Sequence, residues 1–318
     1  MTTVAYDEPE LQGLELYDDA TRSVLSRNDS PDLPFRWSVN PYRGCVHGCA
    51  YCYARPTHEY LGWGAGTDFE RRIVVKRDAP ALLRAALESR KWKGEPVLLS
   101  GATDAYQPLE AKLGLTRGCL EALADAHNPA LVVTKGTTIE RDVDVLARLA
   151  RGAGVRVSVS VPFWDEAHAR AIEPLAPAPA RRIETIARLA EAGVPVGVNV
   201  APLIPGLGDE QMPKVLEAAK AAGARWAAWV LVRLPGNVVP VFEERLRGAL
   251  PARADKVLAR IKEARAGKMY DARFGDRMRG GGVFAETVAA LFERTCERLG
   301  LGRGWELAAA PPRQLALF

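Results

Sequence analysis

Three cysteines fall within eight residues, in the segment Gly44-Cys45-Val46-His47-Gly48-Cys49-Ala50-Tyr51-Cys52-Tyr53, and no other feature constrains the chain as much. Their C-x3-C-x2-C spacing puts three thiols on one short loop, where they can converge on three corners of an iron-sulfur cubane, chemistry that suits soft thiolate ligands. A fourth iron is then left without a protein ligand, open to a substrate or cofactor. Gly44 and Gly48 are expected to let the loop wrap closely around such a bulky core. A closed zinc site is the alternative, with His47 or His58 as fourth ligand, since three cysteines and a histidine make an ordinary tetrahedral set. The odd total of five cysteines fits reduced, metal-bound thiols better than a disulfide framework.

The loop follows the first of six short β-branched runs, at 37–40, 97–100, 131–134, 155–161, 194–201 and 226–232. Between them, 79–91, 116–126, 139–151, 180–192 and 210–222 carry apolar residues at three- and four-residue spacing, as amphipathic helices covering a parallel sheet would. Six βα units in series predict an α/β fold, a partial (βα)6 TIM-type barrel with extra C-terminal helices at 251–266 and 283–299, rather than a doubly wound sheet. Residues 1–36 read as a loosely ordered N-terminal arm, 37–250 as the barrel, 251–307 as a C-terminal helical extension and 308–318 as a flexible tail.

With 48% apolar residues over 318 positions, the chain has enough material for a packed core. It opens on no basic, apolar leader and contains no run of eighteen apolar residues, which predicts a cytoplasmic protein without membrane segments. A net charge of +4 permits contact with nucleic acid without requiring it.

The cysteine loop followed by six βα units, over about residues 35–235, resembles the radical S-adenosylmethionine superfamily. The resemblance implies a 4Fe-4S cluster on Cys45, Cys49 and Cys52 and S-adenosylmethionine bound at the open iron. It also implies reductive cleavage of that cofactor to a 5′-deoxyadenosyl radical and a flavodoxin- or ferredoxin-type electron donor. Several strand ends are most similar to spore photoproduct lyase and its relatives, which act on damaged thymine pairs in DNA. On that pattern Tyr51 and Tyr53 line the cofactor pocket, and Thr103 and Asp104, in Ser100-Gly101-Ala102-Thr103-Asp104, are candidates for the methionine ammonium. Lys135 matches a lysine that reaches the cofactor's carboxylate, Ser158 or Ser160 meets the ribose, and the backbone of Ala201 recognises adenine. Glu173-Pro174 and Arg182 also fit the lineage. The hydrogen-donating cysteine of the lyases is missing, because the equivalent stretch reads Gly101-Ala102. Tyr106 and Cys119 are the candidate substitutes, although Cys119 on a helical segment also reads as an ordinary small core residue.

The ending Gln314-Leu315-Ala316-Leu317-Phe318, behind a Pro311-Pro312 linker, resembles the peptide by which bacterial repair and replication proteins engage the sliding clamp. Gln314 would anchor by hydrogen bonding while Leu315, Leu317 and Phe318 fill a groove. Folding back onto its own domain is the alternative for such a tail. Arg71, Arg72, Lys76 and Arg77 beside Trp63 and Phe69, with Arg273, Arg277 and Arg279, are candidate contacts for phosphate and an extruded base, or else a solvated basic face. The chain thus reads as a radical enzyme of DNA lesion repair. A protein or small-molecule substrate, or a non-catalytic metal-bound nucleic-acid binding module, stand as the alternatives.

Overall fold

The computed structural model describes residues 2–3 and 11–303. Six parallel strands pair in chain order: β1 (Trp37–Val39), β2 (Val97–Leu99), β3 (Ala130–Thr134), β4 (Val155–Ser160), β5 (Val196–Leu203) and β6 (Trp226–Leu231). Leu25–Arg27 adds antiparallel to β1 at one edge, and Gly302–Arg303 adds parallel to β6 at the other. The result is a partial (βα)6 barrel.

Alternation along the strands separates a helix-facing side from an interior side. Val155, Val157 and Val159 of β4, and Val196, Val198 and Val200 of β5, join the main core beneath the helices Val143–Arg151, Pro179–Glu191 and Met212–Ala221. Those helices bury Leu146, Leu149, Ile186, Leu189, Val215 and Leu216 against them, each contributing about 1.5–3 kcal/mol. The opposite faces carry Arg156, Ser158 and Ser160 on β4, and Gly197 and Asn199 on β5. One layer of this interior is filled by Trp226, whose Nε1 donates to Ser158 Oγ at 3.2 Å and whose ring lies 3.9 Å from the Arg156 guanidinium carbon. Gly197 makes room for it, because a Cβ there would sit 2.2 Å from the indole nitrogen. This floor leaves Ser160 and Asn199, paired in register, one step nearer the C-terminal ends of the strands.

Within residues 11–36, expected as part of a loosely ordered arm, Glu15–Asp18 and Leu25–Arg27 are instead built into the sheets. Glu15–Asp18 pairs parallel with Arg72–Val75 in a second, four-stranded sheet that also contains Thr2–Thr3 and Tyr42–Arg43. The cause is apolar: Leu11, Leu14 and Leu16 are buried with Tyr42, Val46 and Ile73. The C-terminal helices do two jobs. Pro251–Glu263 packs with Val238–Ala249 in a core that includes Cys49, Ala50 and Tyr51, so it supports the cysteine loop, while Gly282–Leu299 packs against Met212–Ala221. Among the described residues no helix is long and apolar enough to cross a membrane.

Candidate active site at the barrel mouth

The loop bearing Cys45, Cys49 and Cys52 is anchored from behind by backbone and side chains of several elements. The Cys45 amide donates to the Phe69 carbonyl at 3.0 Å, Val46 to Gln107 Oε1 at 2.9 Å and Ala50 to the Ile172 carbonyl at 2.9 Å. Arg55, fully buried, donates to the carbonyls of Gly48, Cys49, Ala65 and Gly66, all at 2.8–2.9 Å. The two loop glycines answer to the protein around them. Gly44 has φ +84°, and a Cβ on it would stand 2.8 Å from the Phe69 carbonyl oxygen and 2.9 Å from Ile73; one on Gly48, at φ +65°, would press on Glu70 at 3.2 Å. Both glycines are demanded by protein packed against the loop.

The three thiols lie close enough to feel one another. Burial pushes Cys45 well above the ordinary thiol range, and Asp104, Cys49 and Cys52 add to the rise, while the Asp104 amide opposes it. Burial likewise pushes Cys49 up to about 12, against the pull of Lys135, and Cys52 upward against Arg55 and the Ala54 amide. Thiols kept neutral in the protein alone, with backbone N–H groups and cations already facing them, fit a group that ionises them on binding. The zinc alternative fits less well. His58 sits against Phe69 and Trp63, with ring centroids 5.0 and 5.4 Å away, and its Nε2 bonds the Arg72 carbonyl at 2.9 Å. His47 Nδ1 faces Asp104 at 3.5 Å.

Around the loop the strand ends bring several of the expected residues together. Asp104, after β2, accepts from Thr134 Oγ1 at 2.5 Å, the Lys135 amide at 2.7 Å and the Tyr106 amide at 2.9 Å. Burial works to raise its pKa, but His47, Thr134 and the Lys135 amide outweigh it and hold the carboxyl well below the usual range. Asp104 therefore ties β2 and β3 to the loop. Thr103 is buried, with Oγ1 3.4 Å from the Tyr42 carbonyl. Lys135 places Nζ 5.6 Å from the Tyr51 ring centre; burial lowers its pKa, yet Cys49, Glu173 and Asp104 raise it above the ordinary value, so it stays an ammonium. Tyr51 bonds Glu173, Glu173 pairs with Arg182 at 2.5 Å, and Arg182 donates to the Ser160 carbonyl at 3.1 Å, all four residues being buried. The two serines part company: Ser158 is taken by Trp226, and Ser160 stands beside Asn199, whose Oδ1 is buried without a hydrogen-bond partner. Ala201 falls where the β5–β6 register is interrupted, between the pairs Val200 with Trp229 and Leu203 with Leu231. Tyr53 is half-exposed at the rim, its hydroxyl on the Gly101 carbonyl and its ring 5.2 Å from the Arg233 guanidinium.

Other expected residues are placed elsewhere. Cys119 and Tyr106 belong to the main core. Burial pushes the Cys119 thiol up, and the Tyr106 hydroxyl is 3.1 Å from Asp142, which Arg117 and Arg141 hold. Neither is packed in the apolar clusters that contain the three thiols, although the Tyr106 amide reaches Asp104. Most of the basic candidates are engaged within the chain: Arg72 with Glu15, Arg77 with Asp18, Arg273 with Asp271 and Arg277 with Asp32, while Arg279 lies on Trp229 and Phe69 is fully buried. Gln314, Leu315, Leu317 and Phe318 lie outside the described residues. Sequence reading missed Arg55, Glu70, Arg245 and Asn199; an arginine three residues past Cys52 was the one local signal.

A thiol loop of this kind at the mouth of a partial barrel defines a class, and a sequence model described as the Radical SAM superfamily matches residues 39–219. The chain belongs to the radical S-adenosylmethionine superfamily. An uncharacterized protein of Mycobacterium tuberculosis is 39% identical over 219 residues, covering 68% of this chain and 64% of that protein, so the chain spans a little under two thirds of that relative's length. Among solved structures, a spore photoproduct lyase complexed with dinucleoside spore photoproduct aligns with a TM-score of 0.65 at 17% identity, over 91% of this chain and 80% of the lyase. A lyase mutant with bound AdoMet and dinucleoside spore photoproduct aligns at 0.66 and 16%, over 95% and 86%. These likenesses are of fold.

Proposed function

We propose that Cys45, Cys49 and Cys52 hold a 4Fe-4S cluster, that S-adenosylmethionine binds at the barrel mouth, and that the enzyme reverses or modifies a nucleobase lesion in DNA. The observation that carries the reading is the set of three neighbouring thiols, Cys45 and Cys49 buried and Cys52 half-buried, faced by Lys135, Arg55 and backbone amides, on a loop at the mouth of a six-stranded partial barrel. A reduced cluster with bound S-adenosylmethionine supplies homolysis of a carbon–sulfur bond and hence a hydrogen-abstracting radical. The chain's own groups do the rest. Lys135 offers its ammonium to a carboxylate. Ser160 and the unpartnered side-chain oxygen of Asn199, Oδ1, offer acceptors to hydroxyl donors such as those of a ribose. The interrupted register at Ala201 presents backbone to a planar base edge. Asp104 and the Tyr51–Glu173–Arg182 network hold these groups in place.

The DNA assignment draws on the fold shared with proteins complexed with dinucleoside spore photoproduct, and on the clamp-like tail at Gln314–Phe318. Under this reading a flavodoxin- or ferredoxin-type protein delivers the electron, and the tail docks on the sliding clamp. Internal pairing of Arg72, Arg77, Arg273 and Arg277 favours the second reading, a protein or small-molecule substrate. The test is anaerobic reconstitution, iron and sulfide analysis, and incubation with dithionite, S-adenosylmethionine and ultraviolet-treated DNA. Four irons and four sulfides per chain, 5′-deoxyadenosine and loss of a DNA lesion are expected. Cofactor cleavage with the lesions untouched would move the assignment to the second reading, and a zinc-only protein would end both.

A further inference from the structure

The cysteine loop rests on a charge cluster that cluster ligation does not by itself explain. The Gly48 carbonyl, between His47 and Cys49, accepts from two guanidiniums at once, Arg55 Nη2 at 2.9 Å and Arg245 Nη1 at 2.8 Å. Both also meet Glu70 Oε1, each at 2.5 Å. The side chains are 0% (Arg55), 15% (Glu70) and 26% (Arg245) exposed, so solvent screens them only in part. Gly48 completes the arrangement, since a Cβ there would press on the Glu70 carboxylate at 3.2 Å.

The two arginines differ in what they add. Arg55 is local, and its own bonds to Gly48, Cys49, Ala65 and Gly66 already fix the loop's shape. Arg245 comes from the helix Val238–Ala249, 197 residues away in sequence, and adds one loop contact and one positive charge. Two cations and one anion leave the trio net positive beside the peptide that carries Cys49. A cluster gains one electron on reduction, so a fixed positive charge nearby stabilises the reduced form, and charge is one of the terms that set the potential of such centres.

We propose that Arg245 is a positioning residue that, through the Gly48 carbonyl and Glu70, raises the reduction potential of the cluster on Cys45, Cys49 and Cys52. The inference rests on the iron-sulfur reading above. It is tested by an anaerobic redox titration of the full chain, with dithionite as the electron source and the reduced cluster read by electron paramagnetic resonance. Arg245→Gln should lower the ratio of reduced to oxidised cluster about tenfold at a given potential, equivalent to about 59 mV for one electron. Arg245→Lys, which keeps the charge, should stay near wild type. Glu70→Gln should shift the potential upward, a sign that loss of packing does not predict. Arg247→Gln, on the same helix and paired with Asp255 at the surface, is the control expected to change nothing. The proposal is overturned by equal potentials in wild type and Arg245→Gln at equal iron content, by equal shifts in the Gln and Lys variants, or by a downward shift in Glu70→Gln. Failure of the wild type to load iron and sulfide would instead remove the iron-sulfur reading itself.

Discussion

At the scale of single residues, the site depends on buried charges whose partners lie far away in sequence. Glu173 and Arg182 are almost wholly buried and 2.5 Å apart, and Tyr51 of the cysteine loop bonds the same carboxylate. Replacing Glu173 by Gln keeps the volume and leaves the Arg182 cation in the core without its counter-charge, a change that costs about 3–5 kcal/mol. Urea unfolding of the cluster-free chain should show that loss, and a change below about 1 kcal/mol would mean the pair is not coupled. The sequence displayed both residues, but not the contact between them. What it displayed well were groups whose meaning is local, such as the C-x3-C-x2-C spacing. Arg245 was silent because nothing near it in sequence distinguishes it from Arg247 of the same helix.

Among the elements, the six strands were legible because runs rich in Val and Leu, such as the alternating valines of β4, record burial beneath helices in a short window. The interior face was harder to read. Gly197 and Trp226 look unrelated in sequence, yet the glycine exists so that the indole can fill the barrel floor and bond Ser158. Gly197→Ala forces a methyl group into the space of the indole nitrogen, a clash that must shift β5 against β6. A destabilisation of about 1–3 kcal/mol is expected, together with altered tryptophan fluorescence. An unchanged unfolding midpoint would mean that the floor yields freely. Glu15–Asp18 escaped notice for a related reason: its partner strand Arg72–Val75 supplies the backbone pairing, and Leu14 and Leu16 are too few to make a pattern alone.

For the molecule as a whole, an incomplete barrel has an open side, and here segments tied to its two edges meet. Ser30 and Asp32 follow the edge strand beside β1, whereas Gly275 and Arg277 belong to a segment tied to the far edge, where Arg279 lies on Trp229 of β6. Arg277 Nε and the Gly275 amide bond the Asp32 carboxylate at 2.5 and 2.7 Å, and both charged side chains are mostly buried. Burial raises the Asp32 pKa, but the Gly275 amide and Arg277 outweigh it and hold the group below its ordinary value. Its contribution is therefore full above the unfolded pKa of about 3.9, and is lost as pH falls through the lower folded value. Asp32→Asn removes about 2 kcal/mol from this closure at neutral pH. Hydrogen exchange in 28–33 and 270–280 should then speed up by more than an order of magnitude, while exchange in β3 and β4 stays slow. The wild type should approach the variant's rates only when acidified below about pH 4. Acceleration spread evenly over the barrel would show instead that Asp32 supports the whole fold, and equal rates in the two proteins at pH 7 would show that the Asp32 contacts with Gly275 and Arg277 add nothing to stability.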